Sequence, residues 1–176
     1  MMIDEIKKLI QNGEKIDVEF KESKNALTKD VFDTVCSFNN RNGGHILLGV
    51  NDKREIVGVS EDRVDKVIKE FTTSINNPQK IYPPLYLLPK VLKIDCKKVI
   101  YIRVPEGYQV CRHNGKIWDR SYEGDINIKL TEGVVDSVEF LKASSRKDNE
   151  RLSEKHSTLR TKPYIFERVQ KIKPGQ

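Results

Sequence analysis

The sequence predicts an α+β domain, a mixed β-sheet packed with helices, and three observations carry that assignment. Apolar residues step at helical intervals in some stretches, such as Val64, Val67, Ile68, Phe71 and Ile75, and alternate with polar ones in others, such as Ile16, Val18 and Phe20. The run His45-Ile46-Leu47-Leu48-Gly49-Val50 is too short for a helix and does not alternate, as expected of a strand buried on both faces. Turn signals such as Asn114-Gly115 divide the later segments into hairpins.

Taken in order, Ile3, Ile6, Leu9 and Ile10 predict a short helix that stops near Asn12-Gly13. The period then changes to that of a half-buried strand, with Ile16, Val18 and Phe20 inward and Asp17, Glu19 and Lys21 sharing the other face. Leu27, Val31, Val35 and Phe38 predict an amphipathic helix that Arg41-Asn42-Gly43-Gly44 ends. After the buried strand, Ile56-Val57-Gly58-Val59 is expected to pair back antiparallel across the turn at 51–55. Ser60 is suited to cap the next helix, with Glu61 and Asp62 in its first turn and its end near Asn76-Asn77-Pro78. Three prolines make residues 81–89 irregular or edge-like. Residues 91–94 and 99–104 are expected to form a hairpin around 95–98 and residues 108–112 and 116–120 another, and Thr131 is expected to cap a last helix carrying Val134, Val135, Val138 and Leu141.

A length of 176 residues suits one domain, assigned to 1–143, followed by a basic linker or tail at 144–176. The net charge of +6 is divided unevenly: 23 basic against 22 acidic residues up to Ala143, then 9 against 4. A basic extension favours polyanions, but it equally suits a solvated tail or the start of a further domain. No apolar stretch is long enough to cross a membrane, and the first residues lack the charged and apolar regions of a secretory signal. Cys36, Cys96 and Cys111 show no C-x-x-C spacing, so neither a disulfide framework nor a zinc knuckle is expected, and the compartment expected is the cytoplasm.

Three constellations can carry chemistry. Glu14 and Glu19 flank the first strand, and Asp52 follows the buried one. Mg²⁺ or Mn²⁺ requires such carboxylates to converge on one point, while spacing alone fits solvated surface groups as well. Gly43 and Gly44 offer backbone amides to a phosphate or to ATP, although they follow a helix and no Walker sequence occurs, so they also fit a simple helix cap. Arg103, Arg112, His113, Lys116, Trp118, Arg120 and Tyr122 mix cations with aromatics in the hairpin region, a composition suited to phosphates and unstacked bases and also to an ordinary hairpin with charges in water. The scattered histidines lack metal-ligand spacing, and Cys36 sits on an apolar helix face as a core residue does.

Val18-Glu19-Phe20-Lys21-Glu22-Ser23, Val35-Cys36-Ser37-Phe38-Asn39-Asn40-Arg41-Asn42-Gly43-Gly44, Ile46-Leu47-Leu48-Gly49-Val50-Asn51-Asp52 and Ile56-Val57-Gly58-Val59 occur in one order at natural spacing. Together these blocks resemble the Schlafen AlbA-2 domain over about residues 14–141, with Ile117-Trp118-Asp119-Arg120 similar to a late segment of that family. Asn51 stands where the family has a first Asp, Ser37 and Asn39 stand where it has alanines, and Asn40-Arg41 replaces Asn-Thr. The resemblance implies a nucleic-acid-binding domain. From the vertebrate members it also implies a divalent-metal-dependent RNA endonuclease site with Glu14, Glu19 and Asp52 as ligands. Lys21, on the same strand face as Glu19, would then support the scissile phosphate, and Arg41, Arg112, Lys116 and Arg120 would hold the backbone. Since that nuclease core contains two such lobes, a single lobe implies a homodimer or a further domain as partner. The rival readings are a DNA-binding regulator without catalysis and an ATP-responsive module using Gly43 and Gly44.

Overall fold

The computed structural model describes residues 3–121 and 124–128. Apart from Tyr108–Val110, these form one compact unit. Helix α1 (Ile3–Asn12) starts with Asp4 and Glu5 in its first turn, where they complement the helix dipole. It ends at Gly13, whose amide donates to the Leu9 carbonyl in a left-handed conformation (φ +78°).

Strand β1 (Val18–Lys21) pairs parallel with β2 (Gly44–Leu48), Val18 opposite His45 and Phe20 opposite Leu47. Parallel pairing needs a crossover, which α2 (Val31–Asn40) supplies. On the other side of β2 lies the antiparallel β5 (Lys97–Val104), and β4 (Lys90–Ile94) closes the sheet in the order β1-β2-β5-β4. The interior position of β2 accounts for its unbroken apolar run. Ile46 and Leu48 face α2 and α3 (Val64–Ile75), and Leu47 faces the layer holding Ile6 and Ile10 of α1.

One mixed sheet is expected from the sequence; the structure adds a second. Strands β3 (Ile81–Tyr82), β6 (Arg112–His113), β7 (Lys116–Ser121) and β8 (Gly124–Ile128) form an antiparallel sheet in the order β3-β6-β7-β8, and β8 was not expected. The β6–β7 turn is the anticipated Asn114-Gly115 pair, both at positive φ (49° and 75°). The β4–β5 turn is tighter than expected, two residues rather than four, with Asp95 and Cys96 at φ 48° and 63°.

Other expectations are corrected. Residues 56–59 form isolated bridges, Val50 to Ile56 and Val59 to Lys98, rather than a strand, because Gly49 and Gly58 take positive φ and turn the chain out of extended geometry. Leu27 is buried from the loop before α2, so its apolar character reflects packing rather than helix. Ser60 precedes a short 3₁₀ turn (Glu61–Arg63), and its hydroxyl donates to Asn25 instead of capping. Of the expected 108–112 strand only Arg112 is paired, and the pairing extends instead to His113. Cys36 is core, as read, and its sulfur lies 2.8 Å from that of Cys111, a contact between free thiols that spacing did not signal. The helix expected at 131–141, Tyr122, the boundary at 143 and the segment 144–176 lie outside the described residues. No helix among the described residues is long and apolar enough to cross a membrane.

Candidate functional site

Alternation along β1 sends Val18 and Phe20 into the α1 layer and Glu19 and Lys21 to the opposite face, as the sequence indicates. On that face the two charges enter a chain of ion pairs. Lys21 Nζ lies 2.7 Å from Glu19 Oε1 and 2.6 Å from Asp30 Oδ2. The second Glu19 oxygen receives Arg120 Nη2 of β7 at 2.5 Å, and Arg120 Nη1 donates to Asp125 Oδ1 of β8 at 3.0 Å. Asp125 also accepts from Thr34 Oγ1 (2.6 Å) and Ser37 Oγ (2.5 Å) on α2. Five charges thus tie β1, the entry to α2 and both long strands of the second sheet.

The pKa directions follow from this chain. Burial works against the Lys21 ammonium, but hydrogen bonds to Asp30 and Glu19 outweigh it and raise its pKa. Burial likewise opposes the Asp30 carboxylate, and Lys21 outweighs that to hold its pKa down. For Arg120 the attraction of Glu19 and Asp125 exceeds the cost of burial, so its charge is fixed.

Glu14 reaches in from the corner between α1 and β1, where its Oε1 accepts the Phe20 amide at 2.8 Å. Its pKa is raised, first by burial and then by the negative charges of Glu19 and Asp52, against the lowering effect of that amide. Glu14 therefore lies within electrostatic reach of the other two carboxylates. They do not form a ligand set: among the described residues no three His, Cys, Asp or Glu side chains are disposed to hold a metal ion. The donor set agrees, because each Glu19 oxygen already faces a cation and Asp52 sits on the exposed turn after β2. As it stands the trio does not fit Mg²⁺ or Mn²⁺.

Ionised Glu14 works against the fold. A raised folded-state pKa means that ionised Glu14 disfavours the fold, a penalty present above the folded pKa and absent below the unfolded value of 4.5. Glu14→Gln, which keeps an acceptor for the Phe20 amide, is expected to raise stability at about pH 7 by about 0.5 kcal/mol or less, discounted for solvent screening. Urea titrations should show the gain vanish near about pH 3.5.

The remaining sequence-predicted residues are placed as follows. Arg120, expected at the surface as a backbone contact, is 4% exposed and occupied by Glu19 and Asp125. Arg41 makes a two-pronged pair with Asp119, Nε to Oδ1 at 2.9 Å and Nη2 to Oδ2 at 3.2 Å. Lys116 is exposed at the tip of the β6–β7 hairpin, and Arg112 is half-buried beside it. Gly43 donates its amide to the Phe38 carbonyl at 2.8 Å with φ +75°, a helix cap, and Gly44 leaves room for the Phe38 ring. The sequence reading missed Asp30 and Asp125, whose partners come from other elements, and Asn40, which binds the Cys111 amide and carbonyl and the Trp118 carbonyl.

The model of the family described as Schlafen, AlbA_2 matches residues 14–129. No curated protein matches the sequence. Among solved structures, the chain is similar to the DIP2311 protein from Corynebacterium diphtheriae, with TM-score 0.51 and 15% identity over 72% of this chain. It spans only 29% of that protein's length, and at this identity the likeness concerns the fold alone. The N-terminal domain of a RecG-related protein from Nitrosomonas europaea aligns with TM-score 0.41 and 23% identity, covering 58% of this chain and 69% of that one. The match starts at Glu14 and takes in the Glu-Phe-Lys strand, the helix that ends in two glycines and the buried strand leading to Asp52: the chain belongs to the Schlafen AlbA_2 family.

Proposed function

We propose that this domain binds nucleic acid and that its carboxylates around β1 brace the fold. The observation that carries this reading is the separation of charge. Glu19, Asp30 and Asp125 are each neutralised by Lys21 or Arg120. The β6–β7 hairpin presents Lys116, exposed at its tip, in a stretch with no carboxylate between Glu106 and Asp119. Phosphate contacts from such cations give sequence-independent affinity that falls with salt. The excess of basic residues at 144–176 adds to the attraction.

A second reading is a metal-dependent RNA endonuclease using Glu14, Glu19 and Asp52: after burial, the larger cause, the charges of Glu19 and Asp52 also raise the Glu14 pKa, and a bound cation would relieve that repulsion. It requires Glu19 to exchange a present partner for the ion.

Both readings are tested with labelled transfer RNA, single-stranded DNA and duplex DNA in Mg²⁺, Mn²⁺ or EDTA. The proposal predicts binding without cleavage, with Lys116→Ala lowering the salt slope by about 1. Cutting that needs metal and is lost in Asp52→Asn, an exposed position outside the ion-pair chain, would establish the nuclease instead. No binding to any of the three removes both.

A further inference from the structure

Residues 81–89 carry three of the seven large, exposed apolar side chains among the described residues, in a stretch of sequence that holds lysines and no carboxylate. Ile81 and Leu87 are buried and Leu85 packs on the core, while Tyr82, Tyr86 and Leu88 are 57%, 86% and 84% exposed. The inward residues are anchors. Leu85 donates its amide to the Ile75 carbonyl at 3.0 Å, and β3 pairs with β6 so that Tyr82 lies opposite Arg112. Pro83, Pro84 and Pro89 restrict the backbone between them. Two tyrosine rings are thus displayed on a segment held at both ends, with little conformational entropy left to lose on binding.

The chain on either side of them carries lysines and no carboxylate. No Asp or Glu occurs between Glu70 and Asp95, an interval that includes Lys80, Lys90 and Lys93. Across the β3–β6 pairing, the Asn114 amide bonds to the Lys80 carbonyl, which brings the basic hairpin tip alongside. Asp95, the carboxylate that ends the interval, is paired with Lys7 at 2.9 Å.

We propose that Tyr82 and Tyr86 form a stacking platform for unpaired bases of single-stranded nucleic acid, with Lys80, Lys90 and Lys116 at the hairpin tip holding the flanking phosphates. The inference rests on the nucleic-acid-binding reading above and names its ligand as a single strand. Every base has a π-face that an exposed ring can meet, and cations beside the rings suit the backbone that accompanies it. A duplex offers no such face, since its bases are already stacked on one another.

The test uses the full chain and measures fluorescence anisotropy with labelled oligouridylate, oligothymidylate and a blunt DNA duplex. Tyr86→Ala and Tyr82→Ala should each weaken single-strand binding roughly 5- to 150-fold, the range of one lost base–aromatic stack. Tyr86→Phe should bind as wild type, and duplex binding and the salt slope should not move. Because Tyr86 contributes nothing to the core, circular dichroism of its variant should match wild type. Unchanged single-strand binding by both alanine variants, or equal losses for single strand and duplex, would overturn the platform while leaving the nucleic-acid-binding reading standing. Wild-type protein that binds none of the three probes would remove that reading, and the platform with it. Weakened oligothymidylate binding matched by oligouridylate supports a ring surface indifferent to the sugar.

Discussion

Arg120→Ala is expected to destabilise the domain by about 3–5 kcal/mol, the cost of leaving a buried charge without its partner. The Arg120 side chain is 5% exposed, and its two carboxylate partners Glu19 and Asp125 are each 13% exposed, so water cannot replace the guanidinium freely. Its loss would leave Asp125 with only the hydroxyls of Thr34 and Ser37, and Glu19 with only Lys21, on two different sheets. Guanidinium also lies over the Phe38 ring at 5.0 Å, which places the charge against the apolar core rather than in a solvated cleft. Urea unfolding with an unchanged m-value reads the loss directly. Combining Arg120→Ala with Glu19→Gln and Asp125→Asn should recover part of it, because those two carboxylate charges disappear together. A single variant within about 1 kcal/mol of wild type, in the range of a surface salt bridge, would show that the chain of pairs does not brace the fold.

That role for Arg120 was not legible in the sequence, and the reason is physical. An arginine next to Trp118 and Asp119 on a hairpin reads as a surface cation, and the partners that bury it stand 101 residues away on β1 and on the paired strand β8. Pattern is informative where one element decides the outcome. The run at Ile46-Leu47-Leu48 announced an interior strand, Glu19 and Lys21 were placed on one face by alternation, and Asn114-Gly115 set its own turn. It is weak where two elements must meet. Leu27 looked helical because burial in a loop and burial on a helix leave the same residue type. Gly49 and Gly58 looked compatible with a strand because positive φ carries no mark in the sequence beyond glycine itself. Tyr86 sat in a stretch read only as irregular, since exposure of an aromatic ring depends on which neighbours face inward.

The second large effect is expected at the junction of α2 and β2, where Phe38 and Gly44 occupy one space. Phe38 is fully buried, and a Cβ built on Gly44 would lie 2.3 Å from its Cδ2, well inside contact distance. The glycine is therefore a packing requirement: it allows a ring on the helix to lie flat against the start of the strand. Phe38→Ala should cost about 3–5 kcal/mol, as for other buried rings. Gly44→Ala should cost about 1–3 kcal/mol by overpacking, since the ring has no open side to turn toward. The two effects should not add. With the ring removed, a methyl at Gly44 enters the vacated space, so the double variant should be less destabilised than the sum by more than about 0.5 kcal/mol. A double-mutant cycle by urea unfolding measures that difference, and strict additivity would mean that Gly44 is needed for its backbone rather than for the ring. The distinction bears on the alternative ATP-responsive role of the Gly43-Gly44 pair. If coupling to Phe38 accounts for Gly44, and the left-handed cap accounts for Gly43, the helix-to-strand joint is explained by packing and backbone geometry without a nucleotide.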